Sequence, residues 1–197
     1  VYLSLGERGN RNNSQNINNY EGSIVRVKFE NNMIKKNPFN KDWLNEVYSI
    51  GHRNPQGLLI DKMTNKIWSH EHGPQGGDEI NLIKAGGNYG WPKATYGEEY
   101  GGGKIGEISI DGFIDPKWVW TPSIAPSGMA LYNGNMFPEL NNHLLIGALR
   151  AQNIYAVKID DEILISEKKI LQDVYGRIRD IEVMDDGSII FLTCLLY

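Results

Sequence analysis

The chain has 197 residues, 41% hydrophobic and 22% charged, a balance inside the globular range that excludes a chain dominated by disorder. Its 24 acidic and 20 basic residues leave a formal net charge of −4 with no long run of either sign, so neither nucleic acid nor an anionic membrane is indicated as a partner. No apolar stretch reaches the roughly 18 residues that span a bilayer, and the single cysteine, Cys194, cannot close a disulfide within the chain.

Along the chain, short apolar runs are separated by Gly, Pro, Asn and Asp, the pattern of strands and tight turns. It predicts strands at Tyr2 to Leu5, Ser23 to Phe29, Gly57 to Ile60, Lys66 to Ser69, Gly128 to Tyr132, His143 to Ala148, Asn153 to Ile159, Ile181 to Met184 and Ser188 to Thr193. Helix signals are weak throughout. Asp61 to Asn65 joins two of these strands as a hairpin with a longer loop, and Asp185-Asp186-Gly187 joins two others through an Asp-Gly turn. Val1 to Gly6 reads as a strand already under way and Ile189 to Tyr197 as one with nothing after it, so the expectation is a piece truncated at both ends, since such edges would stay unpaired.

Repeated hairpins with a loop-rich segment after each predict an all-β chain built as a β-propeller of four-stranded antiparallel blades. At ~40–50 residues per blade, residues 1–197 form a single partial propeller domain of about four blades. A jelly roll or β-sandwich shares the strand count, and periodicity does not separate them.

The segment richest in potential chemistry runs from Gly51 to Pro92. It holds Gly51-His-Arg-Asn-Pro-Gln-Gly57, then His70-Glu-His-Gly-Pro-Gln-Gly-Gly-Asp-Glu-Ile-Asn81, then Gly86-Gly-Asn-Tyr-Gly-Trp-Pro92. Glycine and proline at this density fix the backbone, so the polar side chains between them are held in place, as in binding loops. Taken singly, Arg53-Asn54 also fits a turn with a surface salt bridge, and Glu79 a solvated turn acid. His52, His70 and His72 suggest a transition-metal site, but no Cys or further His at ligand spacing completes it. Trp118 and Trp120 alternate before Thr121 to Gly128, a loop between blades; such rings stack on sugars but more often pack in β proteins.

The three motifs, in this order, resemble those of the PQQ-dependent aldose sugar dehydrogenases of the soluble glucose/sorbosone dehydrogenase family, and the likeness extends from Leu5-Gly6 to Leu192-Thr193. The resemblance implies a six-bladed propeller in the periplasm or secreted. It would oxidise aldoses at C1 to lactones by hydride transfer to PQQ anchored by Ca2+, and pass electrons to an external acceptor; it also leaves room for a homodimer. Carried over, Arg53 and Asn54 contact quinone and substrate, a planar guanidinium being suited to carbonyls and carboxylates. The carbonyls of Gly73 and Pro74 ligate the calcium that anchors PQQ, while the carboxylate of Glu79 and the main-chain oxygen of Tyr89 serve a further calcium. His72 lines the pocket and Tyr100 offers a flat ring to the quinone. Ala148, Leu149 and Arg150, with Arg177, Ile178 and Arg179, match further cofactor-contacting segments, and PQQ's three carboxylates call for convergent basic groups.

Strand alternation places Arg177 and Arg179 on one face, and Arg53, Asn54, Arg150, Arg177 and Arg179 are expected to face one cavity. The family's catalytic histidine base falls upstream of this chain and is none of its four histidines; Glu7 matches the neighbourhood of the acid that orients it. Half a ring cannot close, so this piece by itself is expected to be inactive. A calcium-dependent lactonase propeller and a non-catalytic binding propeller are the competing functions, with the clustered arginines favouring the quinone.

Overall fold

The computed structural model describes residues 1–30, 33–34, 42–172 and 174–194. The chain enters through β1 (Tyr2–Leu5), β2 (Ser23–Arg26), a minimal hairpin of β3 (Phe29–Glu30) and β4 (Met33–Ile34), and β5 (Val47–Ile50). Next come β6 (Pro55–Ile60), β7 (Ile67–Glu71), β8 (Asp78–Ile83), β9 (Gly87–Asn88) and β10 (Trp118–Trp120). It continues through β11 (Pro126–Tyr132), β12 (His143–Ala148), β13 (Ile154–Asp160), β14 (Ile163–Ile170), β15 (Arg177–Val183) and β16 (Ile189–Cys194). These make three four-stranded sheets, ordered β1-β2-β5-β9, β10-β8-β7-β6 and β11-β12-β13-β14, followed by the β15-β16 pair. β6 packs against β1 and β11, and β11 against β15, so consecutive sheets stand face to face as propeller blades. That arrangement sets aside the jelly roll and the sandwich.

Both predicted hairpins form, β6 with β7 and β15 with β16. The strand predicted from Ser23 to Phe29 breaks after Arg26, and the last three residues of the one predicted from Ile189 to Tyr197 lie outside the described residues. β4, β5, β8, β9, β10 and β14 escaped prediction. β8 opens on two acids inside a Gly-rich stretch, and β14 follows Ile163-Leu164-Ile165 with Ser166, Glu167, Lys168 and Lys169 on a largely exposed outer edge. The first sheet also departs from a purely antiparallel blade: its outer strand, β9, arrives from beyond β8 and pairs parallel to β5.

The core lies between blades. Ile24, Ile67, Ile83 and Tyr89 fill the space between the first two sheets. Trp68, Ile80, Trp120, Leu144, Ile146 and Tyr155 fill that between the second and third, and Leu145, Ile154, Ile178 and Ile181 that between the third and the last pair. β12 shows why: Leu144 and Ile146 face one neighbour and Leu145 the other, so a period of two buries every residue of a strand sandwiched on both sides.

The sheets share a polarity that positions the site. β6, β11 and β15 start at one end of the molecule, where β1, β7 and β12 finish. Glu7 N donates to Arg53 O (2.9 Å), His72 Nε2 donates to Pro126 O (2.6 Å), and Gly147 lies against Ile178. Each of the three starting strands carries a register irregularity there, between Pro55 and Gly57, between Pro126 and Met129, and between Ile178 and Asp180. Such bulges bend a strand and re-aim its side chains. On β15 the bulge leaves Arg179 without a partner on β16: Ile178 and Ile181 are both in the core, while Arg177, half-buried, and Arg179, exposed, both stay off it.

Close approach between blades leaves little room for side chains. A Cβ on Gly128 would lie 2.4 Å from Asp180 Oδ1 and 2.5 Å from Asp180 Cα, so Gly128→Ala is expected to destabilise the chain by about 2 kcal/mol, seen as a lower urea midpoint at unchanged slope. His70 lies over Gly57, where a Cβ would sit 2.3 Å from its Nε2. Burial, and then the neighbouring His72, push His70 down to about 3. The folded state therefore keeps it neutral while the unfolded chain protonates it near ~6.5, so its contribution to stability is present above that pH and is lost as pH falls toward 3. Urea unfolding between pH 7 and pH 4 should lose stability more steeply in the wild type than in His70→Gln, by up to about 1.4 kcal/mol per pH unit.

Candidate functional site

Two buried carboxylates organise the end where these strands meet. Glu71, the last residue of β7, accepts from the main-chain amides of Arg53 (2.6 Å) and Asn54 (3.2 Å) through Oε2. Its Oε1 accepts from Asn81 Nδ2 (3.2 Å) and pairs with His52 Nδ1 (3.1 Å), while His52 Nε2 lies 2.9 Å from Ser49 Oγ and the ring stacks on Tyr89. Asp78, the first residue of β8 and fully buried, accepts from Gly73 N (2.9 Å) on one oxygen and from Ser123 Oγ, Ile124 N and Ala125 N (2.6–2.9 Å) on the other. Glu71 thus fixes the Arg53-Asn54 corner, and Asp78 ties the Gly73 corner to the loop that leads into β11.

Between these anchors lies a cavity of about 10 Å³, room for one water or one bare ion. Arg53, Glu71, His72, Gly73, Glu79 and Tyr89 are among the residues that line it, together with Trp91 and Thr95. Glu79 differs from its two acidic neighbours: among the described residues its one donor is Asn81 Nδ2, at 3.4 Å. Burial, and then the nearby charges of Glu71, Asp78 and Asp115, push its carboxyl well above the usual range. Arg53 Nη1 donates to His72 O (2.9 Å) and Gly73 O (3.0 Å), its guanidinium lying over the Trp91 ring at 5.5 Å. Tyr89, which also lines the cavity, spends its hydroxyl on Leu82 O and Lys84 N.

Two larger concavities adjoin. A polar groove of about 350 Å³ brings Glu7 together with Arg53 and Asn54. A cleft of about 500 Å³ brings Pro74, Tyr100 and Arg150 together, so the Gly73-Pro74 peptide stands between cavity and cleft. Arg177 and Arg179 line neither, and the five residues expected in one cavity are instead spread over the groove, the cleft and the β15 bulge. Ala148 and Ile178 are fully buried core residues, and Leu149 N donates to Ala125 O. Trp118 and Trp120 are packing residues, with both indole N–H groups on Glu167 Oε2 (3.2 and 2.6 Å). The sequence reading passed over Glu71 and Asp78. A signal for each was present: an acid between two histidines, and an acid directly after the paired glycines Gly76-Gly77.

The model of the Glucose / Sorbosone dehydrogenase family matches residues 1–194. The aldose sugar dehydrogenase YliI of Escherichia coli K12 is 39% identical over 199 residues, covering 98% of this chain and 53% of that protein. The crystal structure of the soluble aldose sugar dehydrogenase from E. coli in its apo-form superposes with a TM-score of 0.90 at 39% identity, over 98% of this chain and 57% of that one. The PQQ-bound aldose sugar dehydrogenase of Streptomyces coelicolor superposes with a TM-score of 0.71 at 31% identity, over 91% and 48%. The chain spans about half the length of the curated relatives it matches.

Replacing Glu71 by alanine would leave two main-chain amides without their acceptor, and the expected cost is about 3 kcal/mol, against a smaller loss for Glu71→Gln, which keeps one oxygen. Equilibrium unfolding of the two variants checks this; a loss below about 1 kcal/mol in the alanine variant contradicts the anchoring role.

Proposed function

The chain belongs to the glucose/sorbosone dehydrogenase family, and from that premise we propose that it contributes the cofactor-binding side of a sugar oxidoreductase that converts aldoses to lactones, with PQQ and Ca2+ as its cofactors. The observation that carries this reading is the cavity itself: one ion's volume, a carboxylate short of donors, and a guanidinium at its margin facing both groove and cavity.

The residues fit calcium. Glu79 presents an under-satisfied carboxylate beside two further acids, Gly73 and Tyr89 add hard main-chain oxygens, and a divalent ion relieves the charge crowding that now favours a proton on Glu79. Gly73 O already accepts from Arg53, but a carbonyl oxygen has a second lone pair for a cation. The cleft holding Pro74, Tyr100 and Arg150 has the volume of a small-molecule site and offers a ring and a cation to a flat polycarboxylate. Bound there, PQQ supplies a two-electron acceptor for the hydride that leaves C1 of an aldose.

The protein's own part is placement and charge. Arg53, held through its amide by Glu71, keeps positive charge where negative charge develops on the acceptor, and Asn54 offers an amide to the sugar hydroxyls from the groove. Glu7, pinned through its amide to Arg53 O, stands in that groove where it would orient a base from outside these residues. Arg150 serves the cleft as the cation for a carboxylate, whereas Arg177 and Arg179, at the start of β15, lie outside it. An external acceptor takes the electrons, and a periplasmic or secreted setting would supply the calcium.

Calorimetric titration should show Ca2+ binding that Glu79→Gln weakens at least about tenfold, and PQQ should bind with a shift in its absorbance only when Ca2+ is present. This chain alone, with both added, is expected to reduce no dye with glucose. Lactone hydrolysis without quinone, at a rate sensitive to Glu79→Gln, would replace the dehydrogenase reading by a hydrolase.

A further inference from the structure

Nothing in the family resemblance assigns a role to Arg11 or Glu99, yet these two close the roof of the cavity. The roof is the segment from Ala94 to Glu99. Ala94 and Thr95 line the cavity, and Gly97 crosses the Gly73-Pro74 corner so closely that a Cβ there would meet Pro74 Cδ at 2.5 Å. Gln75 and Glu98 exchange main-chain hydrogen bonds in both directions, at 3.2 and 3.1 Å. At the far end, Glu99 receives the two guanidinium nitrogens of Arg11, Nη1 at 2.5 Å and Nη2 at 2.7 Å, a bidentate pair that spans 88 residues of sequence.

Arg11 is held at its other side by the first blade. It opens a short 3-10 turn, Arg11–Gln15, whose Gln15 donates to Trp91 O (2.8 Å) and exchanges amide bonds with Asn88. Ser14 Oγ of the same turn donates to His52 O (2.7 Å). The Arg11 guanidinium also lies 5.5 Å from the centre of the Trp91 ring, the same distance as Arg53. A stiff base, a cavity-wall tryptophan and the roof are thus joined through one ion pair whose side chains are 39% and 40% exposed.

We propose that Arg11 and Glu99 are positioning residues that hold this roof closed and so set how long a divalent cation stays at Glu79. The inference rests on reading the cavity as a cation site. An exposed pair contributes little to global stability and weakens with salt. Its effect is local, because the segment it ties down packs on the Gly73-Pro74 corner and lines the cavity at Ala94 and Thr95.

The test is stopped-flow release of Ca2+ from the loaded chain into a fluorescent chelator, for wild type, Arg11→Gln, Glu99→Gln and the double variant. Each single variant is expected to release calcium about threefold to fivefold faster, with the double no faster than the faster single, as one shared interaction requires. Added salt should speed the wild type toward the variants and leave the variants unmoved, and melting temperatures without calcium should coincide. Release rates equal to wild type in both singles, or effects that multiply in the double, overturn the proposal. Should the wild-type chain take up no calcium, the cation reading fails and takes residence time with it. The roof is then judged by hydrogen exchange: the amides of Gln75 and Glu98 exchange faster in either variant if the pair holds it, and unchanged exchange refutes the clasp.

Discussion

The site depends on Glu71 and on the burial that gives its carboxylate no alternative partners. A carboxylate withdrawn from water must collect donors from the protein, and the donors within reach are the main-chain amides of Arg53 and Asn54, together with His52 and Asn81. The requirement works in both directions. Two amides that would otherwise be orphaned at the start of β6 are satisfied, and the corner carrying the guanidinium is held without the regular ladder of a strand. Asp78 does the same for Gly73 and for the loop entering β11. Glu79, one residue further along β8, has a single weak donor among the described residues, and that difference in satisfaction sets it apart from the two anchoring acids.

Blade geometry explains why these residues meet. In each unit one strand finishes where the first strand of the next unit begins, so residues far apart in sequence, such as Glu7 and Arg53 or His72 and Pro126, become neighbours at one end of the molecule. The register irregularities at the starts of β6, β11 and β15 recur at that same end. A regular ladder would turn alternate side chains into the blade interfaces, which are already filled by Trp68, Leu144, Leu145 and Ile178. Irregular pairing frees the first residues of each strand to serve the groove and the cleft. Close glycine contacts at Gly73, Gly97 and Gly128 have the same origin, since backbones packed this tightly admit no Cβ.

Much of the fold was legible in the sequence. Strands with an apolar run between turn residues, such as Tyr2 to Leu5 and His143 to Ala148, appear with the predicted bounds, and for the second, burial on both faces is written in composition. β8 and β14 were hidden because their polar residues are satisfied by distant partners or by solvent. Of the site, Arg53, Gly73, Glu79 and Tyr89 were legible through motif, and these four line the small cavity, while Asn54 lies in the adjoining groove. The alternation of Arg177 and Arg179 about the buried Ile178 was legible too, whereas the bulge at Arg179 was not.

By itself the sequence determined the class of architecture, the family and the segment that supplies most of the cavity's lining. Strand periodicity, turn residues and Gly/Pro-rich motifs are local properties that survive in one dimension. Only the tertiary structure decided which acid anchors and which is free, that Arg150 shares a cleft with Tyr100 rather than with Arg53, and that Arg11 reaches Glu99. Those outcomes depend on burial and on contacts between blades, and in a chain whose site is assembled from the ends of several strands such contacts join residues whose separation in sequence bears no relation to their distance in space.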